Sequence, residues 1–174
     1  GEGLYLGEWV LGTWAIRDSN GIDWKPWIGK SFEVSDDGRV YTMKLRKGLK
    51  WSDGTPFEME QIEYAWKDVN FNEELNPVVP LMFRDPVTDN PVEFNVVDDL
   101  TWTITFDTPV YNLFENRSLP ASHCQKGSFS FYCHPSTKQY HANYTNPAAL
   151  KNMVKSAGMQ DWTQLFTLKN DILV

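Results

Sequence analysis

Two stretches of strict two-residue alternation constrain this chain more than any other feature. In the first, Phe32 and Val34 alternate with polar neighbours and Asp36-Asp37-Gly38 supplies a turn. Tyr41, Met43 and Leu45 then point one way, while Thr42, Lys44 and Arg46 point the other. In the second, Val92, Phe94 and Val96 alternate, Asp98-Asp99 turns the chain, and Trp102, Ile104 and Phe106 alternate with Thr101, Thr103 and Thr105. Successive side chains of a strand face opposite sides of the sheet, so each pattern predicts a β-hairpin with one dry and one wet face.

A dry sheet face needs a cover, and the segment between the hairpins supplies one. After Pro56, the residues Met59, Ile62, Trp66 and Val69 fall on one face of a predicted α-helix, and Glu58, Glu60, Glu63, Lys67 and Asp68 read as its solvated side. Pro77, Pro80, Pro86 and Pro91 predict an ordered but irregular connection over 70–91. Pro109 opens a short helical segment around Leu113-Phe114. Leu150, Met153, Val154 and Ala157 form an amphipathic helix that Gly158 stops, and Asp161 is placed to cap a last helix carrying Trp162, Leu165 and Phe166. Residues 118–146 read as a long loop, and Gly7 to Ile16 as an apolar stretch of poor periodicity. The fold class expected is α+β, a mostly antiparallel sheet with packed helices, in a single unit over residues 1–174.

Composition narrows the function. The chain has 23 acidic against 16 basic residues, a formal charge of −7, so a broad nucleic-acid-binding face is excluded. With 41 % hydrophobic and 22 % charged residues it has a globular profile. No apolar run is long enough to span a bilayer, and no export leader is recognisable; if the parent is exported, this chain is expected to begin after its leader. The 8 Trp, 7 Tyr and 10 Phe make up 14 % of the chain, most of them expected in the core, although such rings also grip sugars and peptides.

The motifs of serine hydrolases, zinc proteases, phosphate-binding loops and dinucleotide-binding turns are absent. Asp36-Asp37 and Asp98-Asp99 are paired carboxylates, but at turns they are expected to accept backbone N–H groups rather than to catalyse. His123-Cys124 and Cys133-His134, with His141 beyond, have the residue types of a zinc site without its usual spacing. A Cys124–Cys133 disulfide is the stronger reading and would contribute roughly 2.5–3 kcal/mol by loop closure; free thiols and a metal remain the alternatives. A disulfide implies an oxidising, extracytoplasmic setting. Asn116-Arg117-Ser118 and Asn143-Tyr144-Thr145 match the glycosylation tripeptide, which is common by chance.

The run Ser35-Asp36-Asp37-Gly38-Arg39-Val40-Tyr41-Thr42-Met43-Lys44-Leu45-Arg46-Lys47-Gly48-Leu49-Lys50-Trp51-Ser52-Asp53-Gly54-Thr55-Pro56-Phe57 resembles the signature of the family 5 extracellular solute-binding proteins, the oligopeptide- and dipeptide-binding type components of bacterial ABC importers. Val97-Asp98-Asp99-Leu100-Thr101-Trp102-Thr103-Ile104-Thr105-Phe106 followed by Pro109 is similar to the family's next hairpin, and the resemblance extends through Tyr140-His141-Ala142-Asn143-Tyr144 to Leu165-Phe166. One departure is Glu58, where family members usually place Thr as the helix cap. Another is length, since family members continue well past this chain's end.

The resemblance implies one subdomain of a two-lobed periplasmic-binding-protein fold. Its parent would capture a small solute (an oligopeptide, an oligosaccharide or a similar molecule) outside the cytoplasmic membrane and hand it to ABC permease subunits, possessing no enzymatic activity and no cofactor. The parent is expected in the periplasm or at the cell surface, with a lipid anchor as one arrangement, and this piece is expected to be monomeric. Leu45, Trp51 and Phe57 are expected in the core and Asp53-Gly54 at a turn. The resemblance points to the irregular stretch after the first helix as the part nearest the cleft, making Met82 and Phe83 the ligand-facing candidates, with ordinary packing as the competing reading. Two other classes compete: a free-standing carbohydrate-binding module, against which the predicted helices count, and a hydrolase fragment with two facing carboxylates.

Overall fold

A computed structural model describes residues 14–21, 23–51, 53–111, 113–116 and 132–171. Both predicted hairpins form. Strands β3 (Gly29–Val34) and β4 (Val40–Leu45) pair around the Asp36-Asp37-Gly38 turn, and β5 (Glu93–Asp98) and β6 (Thr101–Thr105) pair around Asp99-Leu100. The hairpins join through β4 and β6 into one antiparallel sheet of order β3-β4-β6-β5. A second, two-stranded sheet is made by β1 (Ala15–Arg17) and β2 (Trp24–Pro26).

The register lays Phe32, Met43, Trp102 and Val96 in one row across all four strands, with Tyr41, Ile104 and Phe94 in the next row. This is the dry face, and Tyr41, Met43, Leu45, Trp102 and Ile104 are buried on it. Thr42, Thr101, Thr103 and Thr105 stand on the other face, partly exposed. A helix covers the dry face, so the architecture is helix on sheet and not the two-sheet sandwich of a sugar-binding module.

That helix changes its winding. Helix α1 (Met59–Tyr64) passes directly into a π-helical segment, Ala65–Asn70. There the Phe71 N–H donates to the Trp66 carbonyl, five residues back, at 3.0 Å. Glu58 serves at the cap position in place of Thr, and the Gln61 side chain closes the reverse half of the box by accepting from the Glu58 N–H at 2.6 Å. Trp66 on the π segment is the hub of the core. Its ring lies 4.7 Å from Phe83, 4.8 Å from Phe94 and 5.4 Å from Trp102. Trp14 meets Trp102 from the other side at 5.6 Å.

Gly38 is required twice over. Its φ of +70° favours glycine, and a Cβ there would lie 2.6 Å from the Tyr111 ring. Beyond β6, Val110 receives the Tyr41 hydroxyl on its carbonyl, and a short helix α2 (Leu113–Asn116) follows.

The segment read as a loop over 118–146 is partly helical. Residues 118–131 lie outside the described residues, but Pro135–Tyr140 forms a 3₁₀ helix capped by His134. Asn146 then caps α3 (Pro147–Ser156), its side-chain oxygen accepting from Ala148 and Ala149 at 3.0 and 3.3 Å. Asp161 caps α4 (Trp162–Asp171) through the Gln164 N–H at 3.0 Å, and Gly158 between the two helices has φ +70°.

Candidate functional site

The irregular connection after the π segment carries several of the most exposed apolar side chains among the described residues. A 3₁₀ turn, Leu81–Phe83, follows Pro80, with Leu81 78 % exposed and Val78 and Val87 projecting beside it. Consecutive residues of a 3₁₀ turn point about 120° apart, so a turn that sends Leu81 outward sends another residue inward. Phe83 is that residue: it is 0 % exposed, and its ring packs on Trp66 and, at 5.7 Å, on Phe71. The expectation that Phe83 faces a cleft is therefore corrected, because the core claims its ring. Met82 lies partly buried against the same core, and Leu81 is the outward member of the triplet.

A buried carboxylate fixes this connection. Asp85 accepts from the backbone N–H groups of Val87, Thr88 and Thr108 at 2.9, 3.0 and 2.7 Å, and from the Thr108 hydroxyl. Burial alone would raise its pKa, but the N–H donors of Thr88, Val87 and Thr108 outweigh that effect and hold it well below the usual carboxylate range. The Val92 N–H donates to the Phe83 carbonyl at 2.8 Å, so the apolar tip is mounted on a braced loop.

The turn aspartates serve their turns. Asp37 accepts from the Ser35 hydroxyl at 2.5 Å, the Arg39 N–H at 3.2 Å and the Arg39 guanidinium at 2.8 Å. These bonds, the Ser35 hydroxyl first, bring its pKa down to about 2. Asp98 accepts from the Leu100 N–H at 2.8 Å, which lowers its pKa in the same way.

Cys133 is buried and disulfide-bonded, and its N–H donates to the Gln61 carbonyl at 3.2 Å. A half-cystine has no thiolate to offer, so the zinc reading loses a ligand. Cys124 and His123 lie outside the described residues, and among the described residues no group of three or more His, Cys, Asp and Glu is arranged to hold a metal. His134 links Ser136 and Asp53: the Ser136 hydroxyl is 2.6 Å from Nδ1, and Nε2 is 3.2 Å from an Asp53 oxygen. The order resembles a nucleophile relay, but Nδ1 also receives the Ser136 N–H at 3.2 Å, which makes it the cap of the 3₁₀ helix.

The sequence reading missed a polar clasp. Asp68, assigned above to a solvated helix face, is held from three directions. His141 Nε2 is 2.8 Å from its carbonyl oxygen, the Asn143 amide donates to one carboxylate oxygen at 3.1 Å, and the Tyr144 hydroxyl donates to the other at 2.7 Å. Lys138 pairs with Glu60 at 2.5 Å, and the Trp162 indole N–H donates to Glu74 at 2.7 Å. Through these bonds, segment 132–162 is fastened along the side of α1 and the π segment.

A sequence profile of the bacterial extracellular solute-binding proteins, family 5, middle region, matches residues 23–158. The chain belongs to this family. It is 33 % identical over 92 residues to the periplasmic alpha-galactoside-binding protein of Rhizobium meliloti (strain 1021), a match covering 51 % of this chain and 13 % of that protein. To the glutathione-binding protein GsiB of Escherichia coli (strain K12) it is 29 % identical over 131 residues, covering 75 % of this chain and 20 % of the relative. The solved structure of an oligopeptide-binding protein OppA superposes on 92 % of this chain and 24 % of its own, with a TM-score of 0.71 and 31 % identity. The chain thus spans a quarter or less of each of these relatives. Within this family member the signature run is structural. Leu45 and Phe57 are buried, Trp51 meets Phe57 at 5.1 Å, and Asp53 closes its turn by accepting from the Thr55 N–H at 2.9 Å.

Proposed function

We propose that this chain is one subdomain of the solute-capturing component of a bacterial ABC importer, working outside the cytoplasmic membrane and without enzymatic activity. The observation that carries this reading is the superposition of nearly the whole chain on part of an oligopeptide-binding protein, together with the family match over residues 23–158. The solute class is an oligopeptide or an oligosaccharide, a reading supported by relatives whose names print oligopeptide, alpha-galactoside and glutathione. In the parent, a second lobe would close over the ligand, and the ABC permease would receive it; a lipid anchor would hold the parent at the cell surface. The projecting apolar tip of the 70–91 connection, with Leu81 outermost and Met82 beside it, is the part assigned to face that closure. A Cys124–Cys133 bond within the described half-cystine's loop fits an oxidising compartment.

Binding stabilises a folded protein by an amount set by ligand concentration over Kd, about 2.7 kcal/mol at a hundredfold excess. The test is a thermal-shift screen of the parent protein against short peptides and oligosaccharides. One of the two classes raises its Tm, and the 174-residue chain alone shows no shift with the same compound because an enclosed pocket needs its second wall. A shift of equal size in the short chain overturns the incomplete-cleft reading.

A further inference from the structure

His141 is a titratable group that the ligand-capture reading does not use. It is 0 % exposed. Rings enclose it: Trp162 at 4.7 Å, Tyr144 and Phe166 at 5.6 Å, and Tyr64 at 5.9 Å. Both ring nitrogens are engaged, and their partners fix the tautomer. Nδ1 accepts the Asn143 N–H at 3.1 Å, so the proton sits on Nε2, which donates to the Asp68 carbonyl at 2.8 Å. A neutral imidazole satisfies both bonds. An imidazolium cannot, because a second proton on Nδ1 would face the Asn143 N–H.

The charged and titratable groups around the ring come from every element packed on it. Asp68 on the π segment and Glu74 after it carry opposite charge, but both Asp68 carboxylate oxygens already accept from Asn143 and Tyr144, and one Glu74 oxygen accepts from Trp162. Lys138 brings like charge; its ammonium sits over the Tyr64 and Tyr144 rings at 5.1 and 4.8 Å. Lys169 on α4 lies 6.0 Å from the Tyr140 ring.

We propose that His141 is an acid-labile clasp, whose protonation frees the helical pair α3–α4 and the segment before it from the π segment while the sheet stays folded. Burial opposes the charged form and lowers the pKa of His141, against the weaker pull of the Asp68 carbonyl and the Asp68 and Glu74 carboxylates. The sign follows. Above the unfolded pKa of about 6.5 neither state takes up the proton; below it the open state binds it and the closed state does not, so closure weakens as pH falls. The proposal goes beyond ligand capture and needs no ligand.

The experiment is hydrogen exchange read by NMR on the 174-residue chain at pH 7.5 and pH 5.5. After correction for intrinsic exchange, opening of amides in 141–170 rises about tenfold at the lower pH, the limit for one proton over one unit below the unfolded pKa. Amides of β4 and β6 do not follow. His141→Gln keeps an amide donor for the Asp68 carbonyl and takes up no proton, so its 141–170 opening is flat across the same range. His134→Asn, which removes the other described histidine of this segment, leaves the effect in place. Equal pH dependence in His141→Gln overturns the proposal. If that variant does not fold, the ring signals of wild-type His141 decide: titration at or above about 6.5 overturns the clasp, and titration below it upholds it.

Discussion

The sheet body and the C-terminal clasp are held by different physics. In the body, Trp66, Trp102, Phe83 and Met43 are fully or almost fully buried, and cohesion comes mainly from apolar area and ring packing, which involve no titrating group. The clasp does carry an apolar anchor in Leu165 and Phe166, and His141 and Tyr144 lay their rings against Tyr64, but much of its hold on the helix is a set of single polar contacts: Lys138 with Glu60, His141 and Tyr144 with Asp68, and Trp162 with Glu74. Polar contacts contribute little each and depend on conditions. One chain thus joins a stable platform to a part that can let go.

The largest effect that sharpens this comparison is expected at the sheet's centre. Trp102 is paired with Met43 and Val96 on either side and touches Trp14 and Trp66. Trp102→Ala removes the ring and leaves a cavity that the strands cannot collapse, a loss of about 3–5 kcal/mol. Urea unfolding measures it, and both regions should melt together because the clasp has no platform left. A loss below about 1 kcal/mol would show that the core is not the cohesive part.

The same division explains what the residues disclosed before the structure. Alternation is a local signal, so both hairpins, the wet threonines and the dry aromatics of β4 and β6 were legible from neighbours two apart. The Asp161 cap and the Gly158 stop were equally local. The clasp was not legible, because His141 and Asp68 are 73 residues apart and Trp162 and Glu74 are 88 apart, and such pairings leave no periodic trace. Asp68 looked solvated because helical spacing shows which face is polar but not what lies against it. The π segment escaped for a related reason: Met59, Ile62, Trp66 and Val69 keep α spacing, and the extra residue shows only in the carbonyls it frees. In the candidate site, the triplet Leu81-Met82-Phe83 is apolar throughout, so its phase was set by Pro80 and not by pattern. Asn146-Pro147 and His134-Pro135 carried a helix-start signal that the loop reading of 118–146 passed over, since proline suits a first turn.

A smaller effect is expected where the clasp meets Asp68. Tyr144→Phe keeps the ring contact with Tyr64 at 5.3 Å and removes the hydroxyl that donates to the Asp68 carboxylate. A hydrogen bond to a charged group on a partly exposed residue contributes about 1 kcal/mol. Global unfolding should shift by that amount or less, and hydrogen exchange in 141–170 should accelerate about fivefold, while β4 and β6 stay protected. Acceleration spread evenly over both regions would break the comparison, since it would make the clasp part of the same cooperative unit.

The smallest effect separates a contact that fastens two elements from one that merely decorates a helix. Lys67 pairs with Glu63 one turn away at 2.5 Å, and its side chain is 59 % exposed. Lys138 makes a pair of the same length with Glu60, but its side chain is 17 % exposed, and it lies over the Tyr64 ring of α1 and the Tyr144 ring of its own segment. Lys67→Met should cost about 0.3–0.5 kcal/mol, the worth of an exposed helical pair, and less at high salt. Lys138→Met keeps the stem's apolar contact and gives up the ion pair and the cation–ring attraction, so its loss should be two to three times larger and confined to the clasp. Both are measured by urea unfolding at low and high salt, with hydrogen exchange to locate the change. Equal losses would mean that spanning two elements adds nothing, and the clasp would then rest on its buried rings alone.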